Sequence, residues 1–342
     1  MWRTRVALAA LVAWGAVSAA ALLSDLPERL TDQQFWALSQ DSSEPGGQFR
    51  NADITNLTSN EMLYQHVIPD LVTRVGRGRV YLGVGPEQNF TYMVATRPKM
   101  AVIFDIRRGN LAMQLLYKAI FELSEDRAAF VSMLFSRPRP PGLSPASSAN
   151  QIFSAFEWVR TDPALVQKNL IAIKDLLTKT RKLPLLERDV EAIDLLYRTF
   201  YGSGYNLRPS PTYKNLMAAT DANGVERSYL ATEEGFAWLK DLQSRNLVVP
   251  VVGDFGGPKA IRAVGQYIKA RGETVGAFYL SNVEQYLYQD GKWDAFCRNV
   301  ATLPLDQSST FIRSQSGGGF GGRGGGFINS LGAIAAETKT CR

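Results

Sequence analysis

Short apolar runs alternate with amphipathic segments along most of the chain. Residues 100–106 read Met-Ala-Val-Ile-Phe-Asp-Ile, and residues 247–252 and 275–280 are similarly apolar. Runs of this kind, which lack a polar face, are typical of strands that are covered on both sides of a parallel sheet. The segments predicted to be strands are 79–84, 100–106, 247–252, 274–280 and 310–313.

Helical periodicity fills the intervals between these strands. Leu111, Leu115, Ala119 and Leu123 recur every four residues, so one long helix is predicted over 110–135. The alternation of strands with helices predicts a parallel sheet covered by helices. The other segments predicted to be helical are 60–75 with an interruption at Pro69, 86–96, 258–271, 283–288 and 292–301.

The middle of the chain breaks this alternation. Helical patterns cover 164–180, 186–201 and 232–245, and no strand pattern lies between them. We therefore expect an α/β protein with a Rossmann-like, mostly parallel sheet and a helical insertion at about 140–245. The predicted organisation is a leader at 1–23, an N-terminal extension with helices at 24–75, the Rossmann-like domain at 76–315, and a glycine-rich loop and C-terminal tail at 316–342.

The leader has the order of a secretory signal peptide. Arg3 and Arg5 precede an apolar run, and the small residues Ser18-Ala19-Ala20-Ala21 follow it. We therefore expect an exported protein, periplasmic or secreted. The alternative is a retained membrane anchor, because residues 6–23 carry no charge and reach the length of ~18 residues that spans a bilayer. Contact with a membrane is expected only through such an uncleaved segment.

Composition narrows the possible chemistry. The 342 residues include 38 Lys+Arg against 32 Asp+Glu, and no long basic run occurs, so no nucleic-acid partner is predicted. One histidine and two cysteines exclude a metal site rich in His or Cys, and no metal is predicted. In an exported chain Cys297 and Cys341 are expected to form a disulfide, with two free thiols as the alternative.

Candidate binding residues begin where the first strand turns into a helix. Gly83 and Gly85 allow backbone N–H groups to approach a ligand, and Glu87 and Asn89 follow in the same turn. Asp105 lies twenty residues after Gly85, at the end of the second strand. This is the spacing of the acid that binds ribose hydroxyls in nucleotide-binding βαβ units.

Further candidates follow the other strands. Arg107 comes just after Asp105, Asp254 follows the third strand, and Ser281 and Asn282 follow the fourth. Because the carboxyl ends of strands in an open α/β sheet face one crevice, these residues are expected to converge there. Two alternatives stay open. Asp254 and Asn282 can instead cap the helices that follow them, and Asp105 can pair with an arginine.

The order Tyr-Leu-Gly-Val-Gly-Pro (81–86), Ile-Phe-Asp-Ile (103–106), Val-Val-Gly-Asp-Phe (251–255) and Phe-Tyr-Leu-Ser-Asn (278–282) resembles the class I S-adenosylmethionine-dependent methyltransferases. It is similar also to an uncharacterised bacterial family of methyltransferase-like proteins, through residues 83–91, 105–110 and 135–138. The resemblance covers roughly residues 50–315. It implies a methyltransferase-like sheet and S-adenosylmethionine as a possible cofactor.

By this resemblance Gly83 and Gly85 would lie under the methionine part of the cofactor. Asp105 would hold the ribose, and Asp254 the adenine amino group. The chain departs from the family pattern at Tyr81, where an acid is usual, and at Glu87, where a glycine is usual. The expected function is therefore an exported methyltransferase-like protein that binds a nucleotide-like or other small polar ligand without methyl transfer, and no catalytic residue is predicted.

Two other functions remain as alternatives at this stage. One is a methyltransferase that is anchored to the membrane by the leader. The other is an interaction protein whose crevice is vestigial and whose helical insertion binds a protein partner that the sequence does not identify.

Overall fold

The computed structural model describes residues 25–47, 56–207, 211–316 and 327–341. The leader and most of the glycine-rich loop lie outside these residues. The helices are α1 (Asp32–Ser42), α2 (Ile68–Val75), α3 (Gln88–Thr96), α4 (Arg108–Leu123), α5 (Arg127–Phe135), α6 (Ala149–Ala155), α7 (Pro163–Asp175), α8 (Glu187–Ser203), α9 (Tyr213–Ala218), α10 (Glu233–Ser244), α11 (Ala260–Lys269), α12 (Val283–Gln289), α13 (Trp293–Val300) and α14 (Ile334–Glu337). Within the described ranges, no helix has the length and apolar character needed to cross a membrane.

The sheet has six strands in the order β3-β2-β1-β4-β5-β6. They are β1 (Val80–Val84), β2 (Met100–Asp105), β3 (Val248–Val252), β4 (Val275–Ser281), β5 (Thr310–Ser316) and β6 (Phe327–Ala333). The first five pair in parallel and β6 is antiparallel to β5. The prediction of an α/β protein with a mostly parallel sheet is confirmed.

The sixth strand was not predicted. Its sequence, Phe-Ile-Asn-Ser-Leu-Gly-Ala, holds asparagine, serine and glycine, which are weak strand formers. The strand follows a glycine-rich run, and such a run predicts a loop. Tertiary pairing with β5, from Thr310 opposite Ala333 to Ser316 opposite Phe327, overrides that local preference.

Between β2 and β3 the described residues form helices and turns, with one isolated bridge between Thr220 and Glu226. The single helix predicted over 110–135 is wrong, because α4 ends at Leu123 and α5 begins at Arg127. Asp126 causes the restart: its carboxylate accepts a hydrogen bond from the backbone N–H of Ala129 and caps α5.

The helix predicted over 60–75 is shorter than expected. A 3₁₀ turn covers Tyr64–Val67, and α2 starts at Ile68 with Pro69 in its first turn. Proline is tolerated at that position because the first N–H groups of a helix have no partner within the helix. Pro69 therefore opens α2 and does not interrupt it. Residues 60–63 are left outside the helix, which affects the site described below.

One hydrophobic core joins the sheet to the helical region. It contains a cluster of rings that mostly pack edge to face or tilted, with Phe121 and Phe130 only 4.6 Å apart between centroids. The cluster consists of Phe90, Tyr117, Phe121, Phe130, Tyr229 and Phe236. It takes residues from α3, beside the sheet, from helices that follow β2 and from the turn before α10, so the helical region shares the core of the sheet.

The segment around α1 covers the outer edge of β3. Ser39 Oγ donates to the carbonyl of Pro250 at 2.6 Å, and Ser43 Oγ accepts from Val252 N at 2.9 Å. The N–H of Glu44 donates to the Val252 carbonyl at 2.8 Å. Backbone polar groups of residues 250 and 252 thus point outward, away from β2. This is why Pro250, which has no N–H, breaks no bond of the ladder.

Arg127 is a fully buried cation that organises the loops around α5. Its Nε donates to Glu233 Oε2 at 2.9 Å. Its two terminal nitrogens donate to four backbone carbonyls at 2.8–2.9 Å. Those carbonyls belong to Leu230, Ala231, Pro145 and Ser147. All five guanidinium donors are therefore used, which lysine cannot reproduce.

We expect Arg127→Lys to lower the free energy of unfolding by about 3 kcal/mol, because carbonyls and Glu233 lose partners at a buried site. Urea denaturation measures the change. Arg139→Lys is the matched control, since Arg139 pairs with Asp126 at a half-exposed position and should cost less than about 1 kcal/mol. Equal effects for the two variants would contradict the role assigned to Arg127.

Cys297 on α13 and Cys341 are bonded to each other, as predicted, and the bridge ties the C-terminal tail to α13. The bridge closes a loop with a sequence separation of 44 residues. Loop-closure entropy for that length corresponds to about 4 kcal/mol. We expect no free thiol in the native protein by thiol titration and a comparable loss of stability in Cys297→Ser. Two titratable thiols would refute the bridge.

Candidate functional site

A pocket opens at the carboxyl ends of β1, β2, β3 and β4. The chain order of the strands reverses here, since β2 and β4 lie on opposite sides of β1. Ligands of open α/β sheets bind at such a reversal. The space not filled by atoms is about 790 Å³, and this volume includes the open mouth of the pocket.

The turn after β1 is braced from behind. Asn89 Nδ2 donates to the carbonyls of Val84 and Pro86, at 2.9 and 2.7 Å, and Asn89 Oδ1 accepts from Tyr81 Oη at 2.9 Å. A Cβ at position 83 would lie 1.8 Å from Asn89 Oδ1, so Gly83 makes room for this brace. Gly85 has φ +78°, a conformation that favours glycine, and lines the pocket.

Glu87 points away from the pocket. It is fully buried, and one of its carboxylate oxygens accepts from Ser59 N at 3.1 Å. Of the four turn residues named from the sequence, the structure therefore places only Gly85 on the pocket wall. Gly83 and Asn89 support the turn, and Glu87 belongs to the buried region behind it.

Asp105 and Arg107 lie together on the wall formed by the end of β2. Asp105 Oδ1 accepts from the Arg107 backbone N–H and from Nε, at 2.9 and 3.0 Å, and Oδ2 accepts from a terminal guanidinium nitrogen at 2.9 Å. The alternative in which Asp105 pairs with an arginine is thus observed. Arg108 pairs instead with Asp189 of α8. Oδ1 is saturated, whereas Oδ2 can still accept one further hydrogen bond.

Asp254 lines the pocket after β3. Its Oδ1 accepts from Gly256 N at 2.9 Å, and its Oδ2 accepts from Lys292 Nζ. This hydrogen bond raises the pKa of Lys292 above its ordinary value. Asp254 does not cap α11. Glu44 does so, because its Oε1 accepts from Lys259 N and Ala260 N at 2.8 and 2.9 Å.

Ser281 and Asn282 form the wall at the end of β4. Asn282 makes no side-chain capping bond to α12, so the capping alternative does not hold for it. Ser281 has φ +52°, which is unusual for a residue other than glycine. Its Oγ donates to Glu61 Oε1 at 2.6 Å. Backbone strain of this kind persists where surrounding contacts enforce it.

Glu61 is a buried carboxylate, 1% exposed, directly behind Ser281. Besides Ser281, Tyr279 Oη donates to its Oε1 at 2.8 Å. Gln88 Nε2 and Asn329 Nδ2 each donate to its Oε2 at 2.7 Å. Burial, reinforced by the charge of Glu61, holds the pKa of Tyr279 well above its usual range, so this phenol stays a neutral donor.

The pocket therefore combines apolar and charged surface. Asp105 and Asp254 are each paired with a cation, and Asp290 adds a third carboxylate at an exposed position. The apolar lining residues include Val84, Pro86, Ile106, Val283 and Leu287. Across the described ranges, no group of His, Cys, Asp and Glu residues has the arrangement to hold a metal ion.

Comparison with known families identifies the chain as a member of one of them. Residues 56–139 and 173–329, well over half of the chain, match a domain of unknown function, DUF7790. The chain belongs to this family. The matched segments contain strands β1 to β5, the start of β6 and every described residue that lines the pocket, and the unmatched interval 140–172 lies among the helices between β2 and β3. No curated protein matches the sequence.

Several residues of the site carried no signal in the sequence. Glu61 lies in a segment predicted to be helical, Glu44 lies in a polar stretch, and Lys292 reads as a surface charge at a helix start. Each of these side chains contacts residues that are distant in the sequence. Hydrophobic periodicity predicts local structure and gives no information about such contacts. The sequence around Glu61, Asn60-Glu61-Met62, holds no pattern that marks this acid as buried.

We expect Asp105→Asn to lower the free energy of unfolding by about 3 kcal/mol, because it removes the charge that Arg107 faces at a buried position. The double variant Asp105→Asn/Arg107→Gln should cost less than the sum of the single changes. Urea denaturation tests both. Asp290→Asn is the control at an exposed pocket carboxylate and should stay within about 0.5 kcal/mol. Additive single changes would argue against the pair.

Proposed function

We propose that the pocket binds a small molecule that contains a nucleoside, on a Rossmann-like, methyltransferase-like sheet. One observation carries this proposal: Gly85, Asp105 and Asp254, from the ends of three successive strands, line one pocket at the reversal of strand order. This is the arrangement that the spacing from Gly85 to Asp105 suggests for nucleotide-binding units.

The described residues fit the nucleoside part of such a ligand. Asp105 Oδ2 has one acceptor position left for a ribose hydroxyl. Val84, Pro86 and Ile106 offer apolar contact to a flat base. Asp254 can accept from an exocyclic amino group while it keeps its bond to Lys292. Together these contacts supply an orientation for the ribose and base without requiring a phosphate.

The methionine part of S-adenosylmethionine fits less well. Its carboxylate needs a cation, and the two cations among the described lining residues, Arg107 and Lys292, already pair with Asp105 and Asp254. Tyr81 stands where methyltransferases usually have an acid, and it holds Asn89. We therefore propose a methyltransferase-like protein that binds a nucleoside without transferring a methyl group.

The proposal also includes export of the protein from the cytoplasm. The leader at 1–23, which lies outside the described residues, has the composition of a signal peptide. A protein that works in the periplasm or outside the cell would take a nucleoside or a related small molecule from that compartment. S-adenosylmethionine is not expected there.

Mass spectrometry of the native protein should detect a co-purifying ligand with a nucleoside fragment, and calorimetry should show binding of adenosine. Val283→Trp should weaken adenosine binding at least tenfold, because the indole would enter the pocket. Gln285→Trp is the matched control on the same helix, outside the lining, and should bind as the native protein does. S-adenosylmethionine should bind no more tightly than adenosine. Equal losses in both tryptophan variants, or no binding of any nucleoside, would overturn the proposal.

A further inference from the structure

Among the described residues, the buried carboxylate of Glu61 has no cationic partner. Four groups donate to it, and all four are neutral: two hydroxyls and two side-chain amides. No lysine, arginine or histidine in the described part of the chain forms an ion pair with it. A buried charge without a cation is costly even when its hydrogen bonds are satisfied. Such a charge therefore favours a positive group nearby.

Ser281 places the pocket next to this charge. Its single hydroxyl hydrogen is donated to Glu61 Oε1, which lies 2.6 Å from Ser281 Oγ, whereas the other acceptor, Asn282 Oδ1, lies at 3.4 Å. A carboxylate only accepts hydrogen bonds, so Ser281 cannot donate to a ligand at the same time. What Ser281 offers toward the pocket is the acceptor side of its oxygen, polarised by the carboxylate behind it.

The position of Ser281 relative to Asp105 fits one end of a nucleoside. The two residues end β4 and β2, which flank β1 on either side, so their strands are about 10 Å apart. A ribose held at Asp105 with its base toward Asp254 directs its 5′ substituent across β1 toward β4. The 5′ end is then the part of the ligand that Ser281 meets.

We propose that Ser281 and Glu61 form a subsite for a hydrogen-bond donor at the 5′ position of the nucleoside, selective for a primary ammonium group. The proposal rests on the proposed function, since it assigns a contact within the same pocket. It names the ligand class as nucleosides with a 5′-amino substituent. Ser281 makes the contact, and Glu61 supplies the charge that selects it.

Three adenine nucleosides that differ only at the 5′ position test the subsite by calorimetry at pH 7. These are 5′-amino-5′-deoxyadenosine, adenosine and 5′-deoxyadenosine. The native protein should bind the amine at least tenfold more tightly than adenosine, and adenosine more tightly than the deoxy compound. Glu61→Gln, which keeps the shape of the side chain and removes its charge, should abolish the preference, so that this variant binds the amine and adenosine within about threefold of each other.

Ser281→Ala provides a second variant that leaves the buried network largely intact. It should reduce the preference for the amine at least fivefold, because the contact atom is lost. Asp290→Asn is the control, since Asp290 is the exposed carboxylate of the same pocket, and it should leave the preference unchanged. Thermal melts of each variant, with and without adenosine, establish that the fold and the pocket are retained.

The outcomes separate this inference from the function on which it rests. Adenosine binding without a preference for the amine would refute the subsite and leave the nucleoside site standing. A preference that disappears in Asp290→Asn and persists in Glu61→Gln would refute it as well, because the charge would then come from the pocket rim. Failure of all three nucleosides to bind the native protein would overturn both proposals.

Discussion

Burial of one carboxylate constrains the part of the carboxyl-end face of the sheet that is formed by β4 and β6. Glu61 must be surrounded by donors, because a buried charge that loses them is strongly destabilising. The donors come from three elements, namely β4 at Tyr279 and Ser281, α3 at Gln88, and β6 at Asn329. They meet on a carboxylate that belongs to the segment before α2. The strained backbone of Ser281, the direction of α3 and the position of the last strand are therefore fixed together. The wall of the pocket at the end of β4 depends on this requirement.

Much of the architecture could be predicted from local pattern, and the exceptions have a common cause. Apolar runs predicted the five parallel strands, because a strand that is covered on both faces has no polar face and forms a continuous apolar segment. The same runs placed Asp105, Asp254 and Ser281 at strand ends, and the pocket does bring them together. Glu87 and Asn89 were expected to face the ligand, but sequence spacing does not tell which way a turn residue points. Their direction is set by Ser59 and Tyr81, through contacts that only the folded chain makes.

Tyr81 and Glu87, the two residues at which the chain departs from the resemblance to methyltransferases, are both held by other parts of the protein. The hydroxyl of Tyr81 holds Asn89, which in turn holds the backbone of the glycine turn. Glu87 is turned inward, where its carboxylate accepts from the backbone N–H of Ser59. The turn is thus stabilised by other groups of the protein and does not need a ligand for this. A turn of this kind is ordered before a ligand arrives, and less of the binding free energy is spent on arranging it.

The covering of β3 by the α1 segment has a consequence for association between molecules. An outer strand with unpaired carbonyl and N–H groups is a template on which another chain can add a strand, and soluble proteins block such templates in several ways. Here Ser39, Ser43 and Glu44 occupy the outward groups of residues 250 and 252, while Pro250 offers no donor at all. The edge nearest the pocket is thereby closed to intermolecular sheet extension, so molecules can be concentrated without stacking through this side of the sheet.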